Sequence, residues 1–178
     1  MPKLKLLILD AGAVIQLHKL GLWEALIDKF EVHLSEIVAE KEVLFEPSDD
    51  GSYGDDIDLS SVINSGQVSV FAVPVLQIKA FRDLFDDLYL GDLDDGEAES
   101  LAYLMEQSTE WLISSGDAIV FRVLGNLNRS DQGRSLEELL NSIGLGRKLA
   151  WPYSKAFREM YTKSGQEDLV RGRGRKKQ

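Results

Sequence analysis

The stretch LKLLIL at residues 4–9 constrains the fold more than any other part of the chain. It is short, nearly all apolar, and stopped by Asp10. Such a run reads as a strand covered on both faces, and strands of that kind belong to parallel sheets flanked by helices. Residues 32–34, 67–73 (QVSVFAV) and 111–113 read as three further strands. Apolar residues at helical spacing predict helices between and after them, at 13–20, 22–30, 57–64, 76–90, 95–107, 117–127, 135–143 and 154–162. One more helix starts at Ser35, with Ile37, Val38, Val43 and Leu44 on its inward face. Strands separated by helices pair in parallel. The expected fold is α/β: a three-layer α/β/α sandwich with a short, mainly parallel central sheet.

At 178 residues the chain is one domain long and buries enough surface to fold without covalent staples. It has no cysteine, which excludes a disulfide scaffold, a thiolate metal site and a cysteine nucleophile. The net charge of −10 argues against a general nucleic-acid coat, because phosphate binding needs positive potential. Charge is also uneven. Residues 46–58 are acidic and free of bases, whereas the last eight residues, RGRGRKKQ, are basic and free of acids. The pure apolar run Leu6–Leu9 is too short for a signal-peptide core or a membrane span, so the expectation is a soluble, cytoplasmic protein.

The informative signal is where four acids fall. Asp10 directly follows the most apolar strand, at the end where open parallel sheets bind ligands. Asp117 comes just after a second apolar strand, with Val120, Phe121 and Leu124 at i+3, i+4 and i+7. Glu40 is flanked by Ile37, Val43 and Leu44 at helical spacing, and Glu97 by Leu93, Leu101 and Leu104. Buried carboxylates need partners, and few of the 20 bases lie near these positions. Hard divalent cations such as Mg²⁺ or Mn²⁺ resolve such a conflict. Each acid also has a plain alternative as a turn, cap or surface residue.

Four segments together resemble the PIN-domain nucleases, including the VapC-type toxins of toxin–antitoxin pairs: LLILDAGAVIQL (6–17), VHLSEIVAEKEV (32–43), LDDGEAESLAYLM (93–105) and WLISSGDAIVFRVL (111–124). The GEAE run in the third is the most specific. The resemblance implies a PIN-like nuclease domain over residues 1–127 with an acidic insertion at about 46–58. Residues 128–164 are then a helical extension packed on it, and 165–178 a disordered basic tail. It also implies a metal-dependent endoribonuclease that leaves a 5′-phosphate and a 3′-hydroxyl. Asp10, Glu97 and Asp117 would hold one or two Mg²⁺ or Mn²⁺ ions, Glu40 would complete the catalytic pocket, and Ser115 would support the metal shell. RNA is the implied substrate. A toxin role would bring a small antitoxin protein as partner, and homodimers are common in the family.

Several positions depart from the family pattern. Gly12 stands where Ser, Thr or Asn is usual, Ser35 stands where Pro is, and no final strand is evident after Asp117. An inactive PIN-like binding module is therefore the alternative function. A haloacid-dehalogenase-like phosphatase would need an aspartate where Gly12 stands. Glu99 competes with Glu97 for the metal but lies about 200° round the same helix. Arg122, Arg129, Arg134, Arg147 and Lys148 are the candidate basic rim, while His18, His33, Trp23, Trp111 and Trp151 read as packing residues.

Overall fold

A computed structural model describes residues 3–41, 48, 50, 52 and 54–177. The elements run β1 (Leu6–Leu9), α1 (Ala11–Lys19), α2 (Trp23–Lys29), β2 (Glu31–Ser35), a π-helical turn (Ile37–Lys41), α3 (Ser60–Asn64) and β3 (Val68–Phe71). They continue with α4 (Val75–Arg82), α5 (Asp87–Leu90), α6 (Asp95–Met105), β4 (Leu112–Ser114) and α7 (Ala118–Asn126). A 3₁₀ turn (Ser130–Gln132), α8 (Leu136–Ser142), a second 3₁₀ turn (Trp151–Tyr153) and α9 (Lys155–Val170) complete the chain. The four strands form one all-parallel sheet in the order β3-β2-β1-β4.

Leu7, Ile8 and Leu9 of β1 are fully buried because alternate side chains enter two different cores. Leu7 and Leu9 pack with Val14 and Leu17 of α1, Leu26 of α2 and Leu139 of α8. Ile8 points the other way, into a core with Leu101 of α6, Val120 and Phe121 of α7, and Phe157 of α9. Helices thus cover both faces of the sheet, and the fold is the expected α/β sandwich. Among the described residues, no helix is long and apolar enough to cross a membrane.

The register decides which residues emerge together at the carboxyl edge of the sheet. Leu9 of β1 pairs with Ser114 of β4, so the residues leaving these strands, Asp10 and Ser115, emerge side by side. The Asp10 amide reaches the Ser114 carbonyl at 3.4 Å.

Three expectations need correction. The helix expected over 76–90 is two helices, α4 and α5. The chain between them pairs instead with the C-terminus: the Lys176 amide donates to the Leu84 carbonyl at 3.0 Å and the Asp86 amide to the Gly174 carbonyl at 3.1 Å. Asp86 then caps α5 by accepting from the Leu88 amide. The tail from Gly165 is not a disordered segment either, since residues 165–170 continue α9 and 171–177 fold back onto the domain. Gly165 is a contact residue within α9. A Cβ on it would collide with the Arg122 carbonyl, and one on Gly125 would collide with that of Thr162, so the missing side chains let α7 and α9 approach closely. Finally, a strand-like pairing does follow α7, reduced to one parallel bridge between Gly133 and Ile113, with the Arg134 amide donating to the Ile113 carbonyl at 2.9 Å. Of the acidic insertion expected at 46–58, residues 46, 47, 49, 51 and 53 lie outside the described residues.

A buried polar cluster holds the C-terminal turn in place. Asp168 of α9, 1% exposed, accepts from the Tyr89 hydroxyl at 2.9 Å and from Arg122 at 2.8 Å, and pairs with Arg173 at 3.0 Å. Burial alone would raise its pKa, but Arg122 and the Tyr89 hydroxyl outweigh that and hold the carboxyl below its usual range. Arg175 donates to the side chain of Asn126, the last residue of α7, at 2.7 Å.

Candidate metal centre

Asp10 is the N-cap of α1: its backbone is extended and its Oδ1 accepts from the Ala13 amide at 2.8 Å. Its second oxygen accepts from the Ser115 hydroxyl. The Asp117 amide in turn donates to that hydroxyl oxygen at 2.9 Å. One serine therefore ties together the first residue after β1 and the N-cap position of α7. The Asp117 side chain makes no capping bond to its own helix, and the residue is exposed.

Glu97 arrives from α6, which Leu101 and Leu104 seat on the same sheet face as Ile8 and Ile113. It is the third residue of that helix and closes a capping box with Asp94. Its amide donates to Asp94 at 2.8 Å, and its Oε2 accepts from the Asp94 amide at 3.1 Å. The sequence DDGE thus folds as a helix start that also fixes the direction of an acid.

The structure brings Asp10, Glu97 and Asp117 together: one carboxylate oxygen of each lies within 4.8 Å of the others. Asp10 and Glu97 are each 4% exposed. Among the described residues, no Lys, Arg or His forms an ion pair with any of the three. The electrostatic result is two perturbed acids. Burial pushes the Asp10 carboxyl up to about 7 despite the lowering bonds from Ser115 and Ala13, with Asp117 and Asp94 adding repulsion. Burial also raises Glu97, helped by a hydrogen bond to Asp117 that requires a proton and by the charges of Asp94 and Asp117. Without a cation, the cluster relieves its repulsion by keeping protons.

These residues fit a hard divalent ion. All three donors are carboxylate oxygens, the type that Mg²⁺ and Mn²⁺ prefer. Oxygens sharing one Mg²⁺ at about 2.1 Å stand no more than about 4.2 Å apart, close to the spread seen here.

Glu40 is not brought into this group. It is exposed on the π-helical turn Ile37–Lys41. The inward α-helical face that Glu40 was expected to share is a single turn of different period, and two of the residues that define that face, Val43 and Leu44, lie outside the described residues. Glu99 has a structural task instead: it is 2% exposed and accepts from the Ile37 amide at 3.2 Å and the Val73 amide at 2.9 Å. Its bonds join α6 to the ends of two neighbouring strands.

The expected basic rim divides. Arg122 is held by Asp168, Arg129 donates to Gln132 and the Met105 carbonyl, and Arg134 donates to the Asp131 and Gly133 carbonyls. Arg147 and Lys148 are exposed. Trp23 and Trp111 are buried, packed against His18 and His33, whereas Trp151 is 52% exposed.

Sequence reasoning missed Tyr153. Its hydroxyl donates to the Gly12 carbonyl at 3.3 Å, and its ring lies against Gly116, beside Asp117. Burial first, then the charges of Asp10 and Asp117, push its pKa up to about 12, so the phenol remains a donor at neutral pH. Compared with known proteins, the chain matches no family model, no curated protein and no solved structure.

Proposed function

We propose that the chain is a divalent-metal-dependent endoribonuclease, acting in the cytoplasm on RNA. The observation that carries this reading is the convergence of Asp10, Glu97 and Asp117 at the carboxyl edge of a parallel sheet, with no base paired to them among the described residues. Asp10, Glu97 and Asp117 would hold Mg²⁺ or Mn²⁺, which supplies a polarising charge for the phosphodiester and a water of lowered pKa when bound.

The chain's own residues prepare that chemistry. Ser115 locks the Asp10 oxygen and the Asp117 backbone in register, so two acids from different strands keep a fixed separation. Asp94 holds one oxygen of Glu97. Asp117, the exposed member, defines the side from which a phosphodiester reaches the pocket.

The test is cleavage of total RNA with Mn²⁺ by the wild-type chain and by Asp117→Asn. Cleavage by the wild type and its loss in the variant support the reading. Equal cleavage by both, or by neither, overturns it.

A further inference from the structure

Resting on the metal-site reading above, we infer that Tyr153 is a positioning residue of the site, its phenol O–H reaching over Asp10 and Asp117 to hold the water or phosphate oxygen that faces the cation.

Three observations carry this. First, the C-terminal extension delivers the side chain firmly. Tyr153 closes the 3₁₀ turn Trp151–Tyr153, which holds Pro152, and the next residue, Ser154, caps α9 by accepting from the Phe157 amide at 3.2 Å. The Ser154 hydroxyl also donates back to the Trp151 carbonyl at 2.7 Å. Second, the two loops that carry the acids leave room for the ring. A Cβ on Gly116 would stand 2.6 Å from Tyr153 Cε1, so any larger residue there would displace the ring. A Cβ on Gly12 would stand 3.4 Å from the phenol oxygen and 3.7 Å from Asp10 Oδ1, so the hydroxyl and that carboxylate oxygen flank the same position. Third, the hydroxyl is only lightly committed. Its one hydrogen bond among the described residues is the long 3.3 Å contact to the Gly12 carbonyl. A half-buried donor beside the carboxylates of Asp10 and Asp117, with a weak partner that it can exchange, is placed to bind an incoming oxygen.

The hydroxyl and the ring are separable by substitution. Tyr153→Phe keeps the packing and removes only the O–H. Tyr153→Ala with Gly12→Ser removes the ring and puts a hydroxyl back from the other side. With the full chain, Mn²⁺ alone is titrated by calorimetry, and kcat and KM are measured on a single-stranded RNA. Tyr153→Phe is expected to melt as wild type does in EDTA. It is expected to bind Mn²⁺ about 3- to 10-fold more weakly, the range for one neutral hydrogen bond, and to lose kcat more than KM. The double variant is expected to bind Mn²⁺ more tightly than Tyr153→Ala alone. If wild type takes up Mn²⁺ and Asp117→Asn does not, yet Tyr153→Phe matches wild type in both affinity and kcat, Tyr153 is a packing residue and the inference is overturned. If wild type takes up no Mn²⁺, or Asp117→Asn takes up as much, the metal site itself falls and the inference falls with it.

Discussion

Replacing Asp10 by Asn separates the electrostatics of the cluster from its packing. The site makes Asp10 ionise near pH 7 against an ordinary 3.8. That difference of about three pH units corresponds to about 4 kcal/mol at full ionisation. The sign follows from proton binding. The native state holds this proton more tightly than the unfolded chain does, so Asp10 costs stability increasingly as pH rises from about 4, with the full cost reached above about 7. Asn carries no charge and caps a helix as well as Asp, so the Ala13 amide keeps its acceptor. In EDTA at pH 8 the variant is expected to melt above wild type by roughly 8–16 °C, at about 2–4 °C per kcal/mol for a chain of this size. At pH 5, where Asp10 keeps its proton, the advantage shrinks to less than half. Manganese narrows the gap. At a hundred times its dissociation constant it stabilises wild type by about 2.7 kcal/mol, and the variant is expected to gain little. Differential scanning calorimetry at the two pH values, with EDTA and with Mn²⁺, reads all four conditions. A variant that melts no higher than wild type at pH 8 in EDTA, or that gains as much from Mn²⁺, refutes the account of Asp10 as a buried, metal-seeking charge.

Ser115→Ala removes the hydroxyl that joins Asp10 to the Asp117 backbone and is expected to weaken Mn²⁺ binding about 10- to 100-fold, measured by calorimetry. Glu40→Gln alters an exposed residue outside the cluster and is expected to cleave RNA at the wild-type rate; a large loss would restore Glu40 to the site. Gly165→Ala forces a methyl group against the Arg122 carbonyl and is expected to cost about 1–3 kcal/mol in urea unfolding. Asp168→Ala leaves Arg122 and the Tyr89 hydroxyl without their shared acceptor and is expected to cost about 3–5 kcal/mol by the same measurement.

The layout was legible where the signal is local. LLIL announces a two-sided strand by itself, and i+3 and i+4 spacing announces α6 and α7. Asp10 and Asp117 could be grouped because strand ends in a parallel sheet share one edge, a rule that needs no side-chain detail, and Glu97 joined them through its helical spacing and the GEAE run. Glu40 could not be placed, because its expected face assumed an α-helical period where the chain makes a π-helical turn. Tyr153 had no local mark at all: the carbonyl it donates to lies 141 residues earlier. The glycines misled in the same way. Gly165 stood in sequence as the start of a disordered tail, and its neighbour across the helix crossing shows why a residue without a side chain is needed there.

That crossing bears on where the molecule can be divided. Shortening the chain after Leu127 would spare every carboxylate of the cluster, yet it would strip α9 from α7, the helix that Asp117 leads. It would also part Leu84–Asp86 from residues 174–176, with which they pair, and carry Tyr153 away. The last third is therefore the outer wall of the same building, and a minimal fragment chosen to contain the acids alone would leave the apolar side of α7 facing water.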